Sequence, residues 1–250
     1  MQYGICHLSV VPVRSVADDT GEMVSQLLYG EHFKILEARK SWSKIRMSFD
    51  RCEGWVHNNQ MFSIEQVKYE LLETAKGDKY AANLVSFVSS KESVLLPIVL
   101  GSSVHVTKIL GHDFEGICFE KRQDKPNLIQ TALLYLNAPF LWGGRTPFGL
   151  DCSGFTQMTY KVNGYQLKRT AVEQSAQGEA LSFIEESEPG DLAFFDNKDG
   201  IIDHVGIVME NNYIIHCHGK VQIDRLDHTG IFNAESSRYT HKLRVIKKII

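Results

Sequence analysis

The chain has 250 residues, 43% hydrophobic and 23% charged, with 27 Lys and Arg against 30 Asp and Glu and a net charge of −3. That is enough for more than one folded domain in an ordinary globular composition. The mild acidity, with no run of more than two Lys or Arg, argues against nucleic acid or a polyanion held by charge alone; no apolar run approaches membrane-spanning length, and the first residues lack the pattern of an export signal.

From Ile5 to about Phe62 the pattern is short strands and turns. Leu8–Arg14 is β-rich, Asp18-Asp19-Thr20-Gly21 is a turn, and Met23–Tyr29 runs up to Gly30. Phe33–Glu37, Trp42–Met47 and Gly54–Val56 follow with partial alternation. Strands at this spacing, five in all, predict a small barrel, with Trp42 and Trp55 packing it rather than contacting a ligand. Residues 63–124 carry no chemical motif. Ile64–Ala75 reads as a helix with Val67, Leu71 and Leu72 on one face, ended near Gly77. Leu84–Val88, Val94–Leu100, Val104–Val106 and Gly116–Phe119 read as strands, and a second, degenerate barrel is the expectation. Gln123–Pro126 reads as a linker, with Pro126 placed to begin a helix.

From Asn127 the character changes. Leu128, Ile129, Ala132, Leu133 and Leu136 mark an amphipathic helix closed by Asn137-Ala138-Pro139. Cys152 opens another: Phe155, Met158, Thr159 and Val162 recur at helical spacing, Asp151 suits the N-cap, and Asn163-Gly164 is a stop. Thr170–Glu173 fits a capping box. Glu188-Pro189-Gly190-Asp191 is a turn into Leu192–Phe195. His204–Met209 and Tyr213–His216 are apolar strands joined by Glu210-Asn211-Asn212. Helices first and antiparallel strands later make the class α+β.

Cys6, Cys52, Cys118, Cys152 and Cys217 form no CxxC pair and are odd in number, which reads as free thiols in a reducing compartment. A free cysteine is usually a small buried hydrophobe. Cys152 differs by position, since the positive end of a helix dipole lowers a thiol pKa. A cysteine nucleophile needs an imidazole base and a polar group to orient it. His204 begins one strand of the hairpin and His216 ends the other, so both rings can reach one end of the sheet. Spacing alone leaves a structural role for either histidine open.

Trp142-Gly143-Gly144, Asp151-Cys152-Ser153-Gly154, Pro189-Gly190-Asp191-Leu192, His204-Val205-Gly206-Ile207 and Ile215-His216 occur in this order. The set resembles the papain-like cell-wall cysteine peptidases of the NlpC type, over roughly residues 125–250. The Tyr29-Gly30-Glu31 turn, the Trp42 strand and Glu53-Gly54-Trp55-Val56 resemble a bacterial SH3-like domain. The resemblance implies an SH3-like barrel over 1–62, a degenerate SH3-like region over 63–124 and a papain-like α+β catalytic domain over 125–250. It implies Cys152 as nucleophile, His204 as base and His216 as the orienting residue, with His218 as rival for that role. No cofactor or metal is implied. Members with an N-terminal SH3-like region resemble γ-D-glutamyl-L-diamino acid endopeptidases of the dipeptidyl-peptidase VI type. Those cut peptidoglycan stem peptides between D-Glu and the diamino acid, and some recycle released fragments bearing a free N-terminal L-Ala.

For substrate contacts the resemblance points to Asp151, Ser153, Trp142, Arg169 and Thr170, and to Glu22 or Glu53 for the free amine. Relatives often carry Asp where Thr170 stands, and Tyr just before the Gly54-Trp55 turn, where this chain has Cys52-Glu53. Capping chemistry alone accounts for Asp151 and Thr170. The expected partner is a stem peptide such as L-Ala-γ-D-Glu-diamino acid, with no nucleic acid and no membrane insertion, in a bacterial cytoplasm. Two alternatives stand beside this. One is a papain-like amidase or acyltransferase on another amide or ester. The other is a wall-binding protein with a vestigial catalytic half, which the complete set of Cys152, His204 and His216 disfavours.

Overall fold

A computed structural model of the chain describes residues 2–74 and 79–250. The chain divides into two units, residues 1–122 with 142–147, and residues 123–141 with 148–250.

In the first unit, apolar alternation builds one antiparallel sheet. Its strands are β1 (Gln2–Ile5), β2 (Val10–Arg14), β3 (Met23–Leu28), β4 (His32–Ala38), β5 (Trp42–Met47), β6 (Glu53–His57) and β7 (Phe62–Ile64), in the order β3-β2-β6-β5-β4-β1-β7. Val11, Val13, Leu27, Phe33, Ile45, Met47 and Val56 are fully buried together, each worth roughly 1.5–3 kcal/mol of transfer free energy. Trp55 is buried with the Arg39 guanidinium 4.1 Å over its ring. The strands expected from β2 to β6 are present; β1 and β7 extend the sheet at one side.

Helix α1 (Gln66–Thr74) buries Tyr69 and Leu72, whereas Val67 and Leu71 are exposed, so the expected apolar face is not the one used. Tyr69 stacks on Tyr3 at 4.3 Å and, with Leu72, joins Ile5, Ile64 and Val106. The stop expected at Gly77 lies outside the described residues. Beyond it come β8 (Tyr80–Ala81), β9 (Val85–Ser90), β10 (Leu95–Val99), β11 (His112–Phe114) and β12 (Cys118–Phe119), in sheets ordered β10-β9-β11 and β12-β8. The strand expected at Val104–Val106 is instead the start of a 3₁₀ helix, Val104–Leu110. Strand geometry would turn both valines to one side, but Val104 fills one core cluster and Val106 another.

Residues 142–147, including β13 (Arg145–Thr146), belong to this unit rather than with the residues on either side of them. Arg145 is fully buried and makes a two-pronged ion pair with Glu31, Nη1 to Oε2 at 2.8 Å and Nη2 to Oε1 at 2.9 Å. Its Nη1 also donates to the Gln26 carbonyl, and its backbone N–H to Gln26 Oε1.

The second unit contains α2 (Pro126–Leu133), β14 (Gly149–Leu150), α3 (Cys152–Val162), α4 (Ala171–Ser175) and a sheet. The sheet strands are β15 (Glu179–Ala180), β16 (Leu192–Asp196), β17 (Ile202–Met209), β18 (Tyr213–His218), β19 (Lys220–Leu226), β20 (Gly230–Asn233) and β21 (Arg238–Lys248). Helices on an antiparallel sheet are the α+β arrangement expected. The order is β15-β21-β16-β17-β18-β19-β20, and β20 pairs back onto β21, closing β16 to β21 into a barrel. The hairpin between β17 and β18 turns on Asn211 and Asn212, with φ of 58° and 59°, a left-handed geometry asparagine tolerates. Alternation sends Ala193, Phe195, Val208, Ile214, Leu226 and Ile231 into the barrel. Helix α3 packs outside, on β17 and β18.

Candidate active site

Helix α3 starts at Cys152 because Asp151 stops the extended chain there: its φ and ψ are −89° and 175°, and its Oδ1 accepts the Gly154 N–H at 2.6 Å. Every residue of α3 is buried. The Arg169 guanidinium grips the same carboxylate, Nη2 to Oδ2 at 2.6 Å and Nη1 to Oδ1 at 3.0 Å, and Nη1 also reaches Ser153 Oγ at 3.0 Å. Asp151, Ser153 and Arg169, three of the expected substrate contacts, therefore hold one another. Thr170 N-caps α4 in a complete capping box with Glu173.

The Cys152 sulfur sits against the start of β17, with Sγ 3.8 Å from the Asp203 carbonyl oxygen. The sequence expectation was a thiol lowered by the helix dipole. Burial instead pushes Cys152 up to about 12; the Asp151 carboxylate adds to the rise, and the Val205 amide and Arg169 oppose it.

Next along β17 is His204, 5% exposed, whose Nε2 lies 2.9 Å from His216 Nδ1. This hydrogen bond goes to His216; the ring of His218, on an exposed residue, is centred 6.5 Å from that of His204. The other nitrogen of His216, Nε2, lies 3.0 Å from Asp224 Oδ2 on β19. Burial lowers His204 well below the usual imidazole value, and neighbouring His241, His216 and His218 add to this. His216 is lowered by burial, against the pull of Asp224. Gly206 faces His216 across the β17–β18 ladder. A Cβ there would lie 2.7 Å from Ile214 Cδ1 and 2.8 Å from His216 Cβ, so the glycine makes room for the imidazole.

Sequence reasoning missed His241, on β21. Its ring stacks on His204 at 4.0 Å and 21°, and it is lowered to about 3 by burial and by His216 and His218. Ring nitrogens of His204, His216 and His241 lie within 4.8 Å of one another. Metal ligation needs lone pairs in the ring planes converging on one point. The His204–His241 stack makes them run side by side, and the His204–His216 nitrogens face each other at hydrogen-bond distance.

The remaining expected contacts lie in the first unit. Glu22 Oε1 accepts the Trp142 indole N–H at 2.6 Å. Glu53 is paired with both Arg46 and Lys44, which hold its carboxyl below the usual range. None of the five cysteines is in a disulfide.

Residues 137–239 match the NlpC/P60 family, and residues 13–61 match the bacterial dipeptidyl-peptidase SH3 domain. The chain carries an NlpC/P60 cysteine peptidase domain and a bacterial SH3 domain. Among its relatives is the γ-D-glutamyl-L-lysine dipeptidyl-peptidase of Bacillus subtilis, 25% identical over 77% of this peptidase and 71% of that protein. Dipeptidyl-peptidase 6 of Lysinibacillus sphaericus is 24% identical over 82% of this chain and 85% of its own. In fold, the peptidase is similar to the crystal structure of an NlpC/P60 family protein from Bacillus cereus, with a TM-score of 0.79, 17% identity and 99% of each chain covered.

Proposed function

We propose that this peptidase hydrolyses the γ-D-glutamyl–L-diamino acid bond of peptidoglycan stem peptides, with Cys152 as nucleophile, His204 as base and His216 orienting it. The observation that carries the roles is that the Cys152 sulfur lies against the carbonyl of Asp203, the residue before His204, while His204 is hydrogen-bonded to His216. The names of the relatives from B. subtilis and L. sphaericus support the bond.

The free enzyme holds a neutral thiol at Cys152 and a neutral imidazole at His204, since burial raises the one and lowers the other. Attack on the D-Glu γ-carbonyl then moves the thiol proton to His204 as the carbon–sulfur bond forms. In the first turn of α3, the Gly154 N–H is taken by Asp151 Oδ1 and the Phe155 N–H by the Asp151 carbonyl. The Cys152 and Ser153 N–H groups, next to the sulfur, are those that meet the developing oxyanion. His204 returns its proton to the departing diamino-acid amine, then activates water to clear the thioester.

The finer reading is recycling: small released peptides with a free L-Ala, in a bacterial cytoplasm. Five cysteines without a disulfide among them support that location. Of the two carboxylates named for the amine, Glu53 is paired with Arg46 and Lys44, and Glu22 accepts the Trp142 indole N–H. The test is mass spectrometry of L-Ala-γ-D-Glu-diaminopimelate and its lysine counterpart, beside an N-acetylated tripeptide and intact wall. Wild type should release L-Ala-D-Glu from the free tripeptides and Cys152→Ala should not. Cleavage of the acetylated peptide or the wall at an equal rate would refute recycling, and activity on simple esters alone would favour the acyltransferase reading.

A further inference from the structure

We propose that Asp224 is a positioning residue for the peptidase reaction: it fixes the tautomers of both histidines and thereby decides which nitrogen of His204 acts as base. The inference rests on the roles proposed for Cys152 and His204, and extends them by a residue from a third strand.

A carboxylate can only accept hydrogen bonds. Asp224 Oδ2 is approached by His216 Nε2 and Gln222 Nε2, both at 3.0 Å, and Oδ1 by Asn233 Nδ2 at 2.9 Å. Burial alone would favour the protonated acid, but the hydrogen bonds from His216, Asn233 and Gln222 outweigh it and hold the carboxyl below its usual range. An ionised Asp224 requires the proton of neutral His216 to sit on Nε2. His216 Nδ1 is then a lone pair, and its partner at 2.9 Å, His204 Nε2, has to be the donor. His204 is left with its lone pair on Nδ1, the atom free to take the thiol proton. Were Asp224 a donor instead, the order would reverse and His204 Nδ1 would carry a proton it could not accept.

The relay crosses the barrel from β17 through β18 to β19, and Asn233 ties it to β20. When His204 becomes an imidazolium, the Asp224 charge stands one ring away, in a buried setting where a charge acts strongly. The other titratable rings facing this group are His218 on β18 and His241 on β21, and neither carries charge complementary to the imidazolium. Pairing of β20 with β19, Phe232 opposite Arg225 and Ile231 opposite Leu226, is what brings Asn233 to Asp224.

The test begins with the wild-type protein. Nitrogen NMR of ¹⁵N-histidine-labelled enzyme at neutral pH should show His204 and His216 both protonated on Nε2; protonation of His216 on Nδ1 overturns the proposal whether or not any variant folds. Asp224→Asn should lower kcat/KM on the tripeptide by about tenfold or more, and should shift the His204 ionisation in the pH–rate profile to lower pH, because the imidazolium loses its stabilising charge. Asp224→Glu should restore the wild-type ionisation at least in part. A profile in Asp224→Asn identical to wild type would reduce Asp224 to a structural residue and overturn the proposal. If Cys152→Ala kept full activity, the reading of the nucleophile would fail while the tautomer result stood, so the two are separable.

Discussion

Replacing Arg145 by methionine should strip the first unit of several kcal/mol while keeping the volume of the side chain. The guanidinium is fully buried and Glu31 is 4% exposed. Three charge-assisted hydrogen bonds go with the arginine: two to the Glu31 carboxylate and one to the Gln26 carbonyl. What remains is a carboxylate with its charge out of water, and breaking a buried pair from one side costs about 3–5 kcal/mol. At roughly 2–4 °C per kcal/mol for a protein of this size, Tm should fall by about 6–20 °C. The assay is urea unfolding followed by tryptophan fluorescence. It is selective, because Trp42, Trp55 and Trp142 all lie in the first unit. Glu31→Gln in the same background should recover much of the loss, since the amide still accepts the Leu28 N–H that Glu31 Oε2 now holds at 2.9 Å. A loss below about 1 kcal/mol for Arg145→Met would mean that water reaches the pair, and the burial argument would fall.

Cys152→Ala should abolish turnover and leave the circular dichroism and urea midpoint of wild type; a rate within tenfold of wild type would remove Cys152 from the chemistry. Gly206→Ala should lower kcat at least tenfold with KM little changed, because a Cβ 2.8 Å from His216 Cβ has to push that ring off its partner; kinetics like wild type would show that the barrel end yields. The depressed histidines predict acid sensitivity. A histidine with a folded-state value of about 3 and an unfolded value near 6.5 binds fewer protons when folded, so stability is full above pH 6.5 and is lost as pH falls toward 3. His241→Phe keeps a stacked ring without the titration, so its Tm should fall less than wild type between pH 6.5 and 4, and parallel curves would count against the assignment. The carboxylates held low, Asp224 among them, contribute their loss only as pH falls below about 4.

Local chemistry was legible where one stretch of chain decides the outcome. Asp151 and Cys152 announced a capped helix, and it runs from Cys152 to Val162. Thr170 and Glu173 announced a capping box, and both halves of it are made. The hairpin that brings the His204 and His216 rings within hydrogen-bond reach followed from two apolar runs and the Glu210-Asn211-Asn212 turn. What stayed hidden depends on register between distant strands. Nothing near Asp224 or His241 distinguishes them from surface residues until β19 and β21 are paired, and a shift of one residue would turn either out of the barrel. The Val104–Val106 segment misled for a related reason: its two valines serve different clusters, a fact no local pattern contains. The thiol was misjudged because a dipole effect can be inferred from sequence, whereas burial of the sulfur cannot.

The place of Arg145 also sets an order of events during synthesis. Glu31, Gln26 and the sheet that buries them are complete by Ile64, yet the cation they require is made some eighty residues later. Even after Arg122, the last residue of the unit's continuous stretch, a ribosome adding about 5–20 residues per second needs roughly one to five more seconds to reach Arg145. For that interval the nascent unit holds a carboxylate without its counter-charge. The same holds for any fragment cut at residue 124: its missing piece would be residues 142–147, with the buried guanidinium of Arg145 and the Trp142 indole that donates to Glu22.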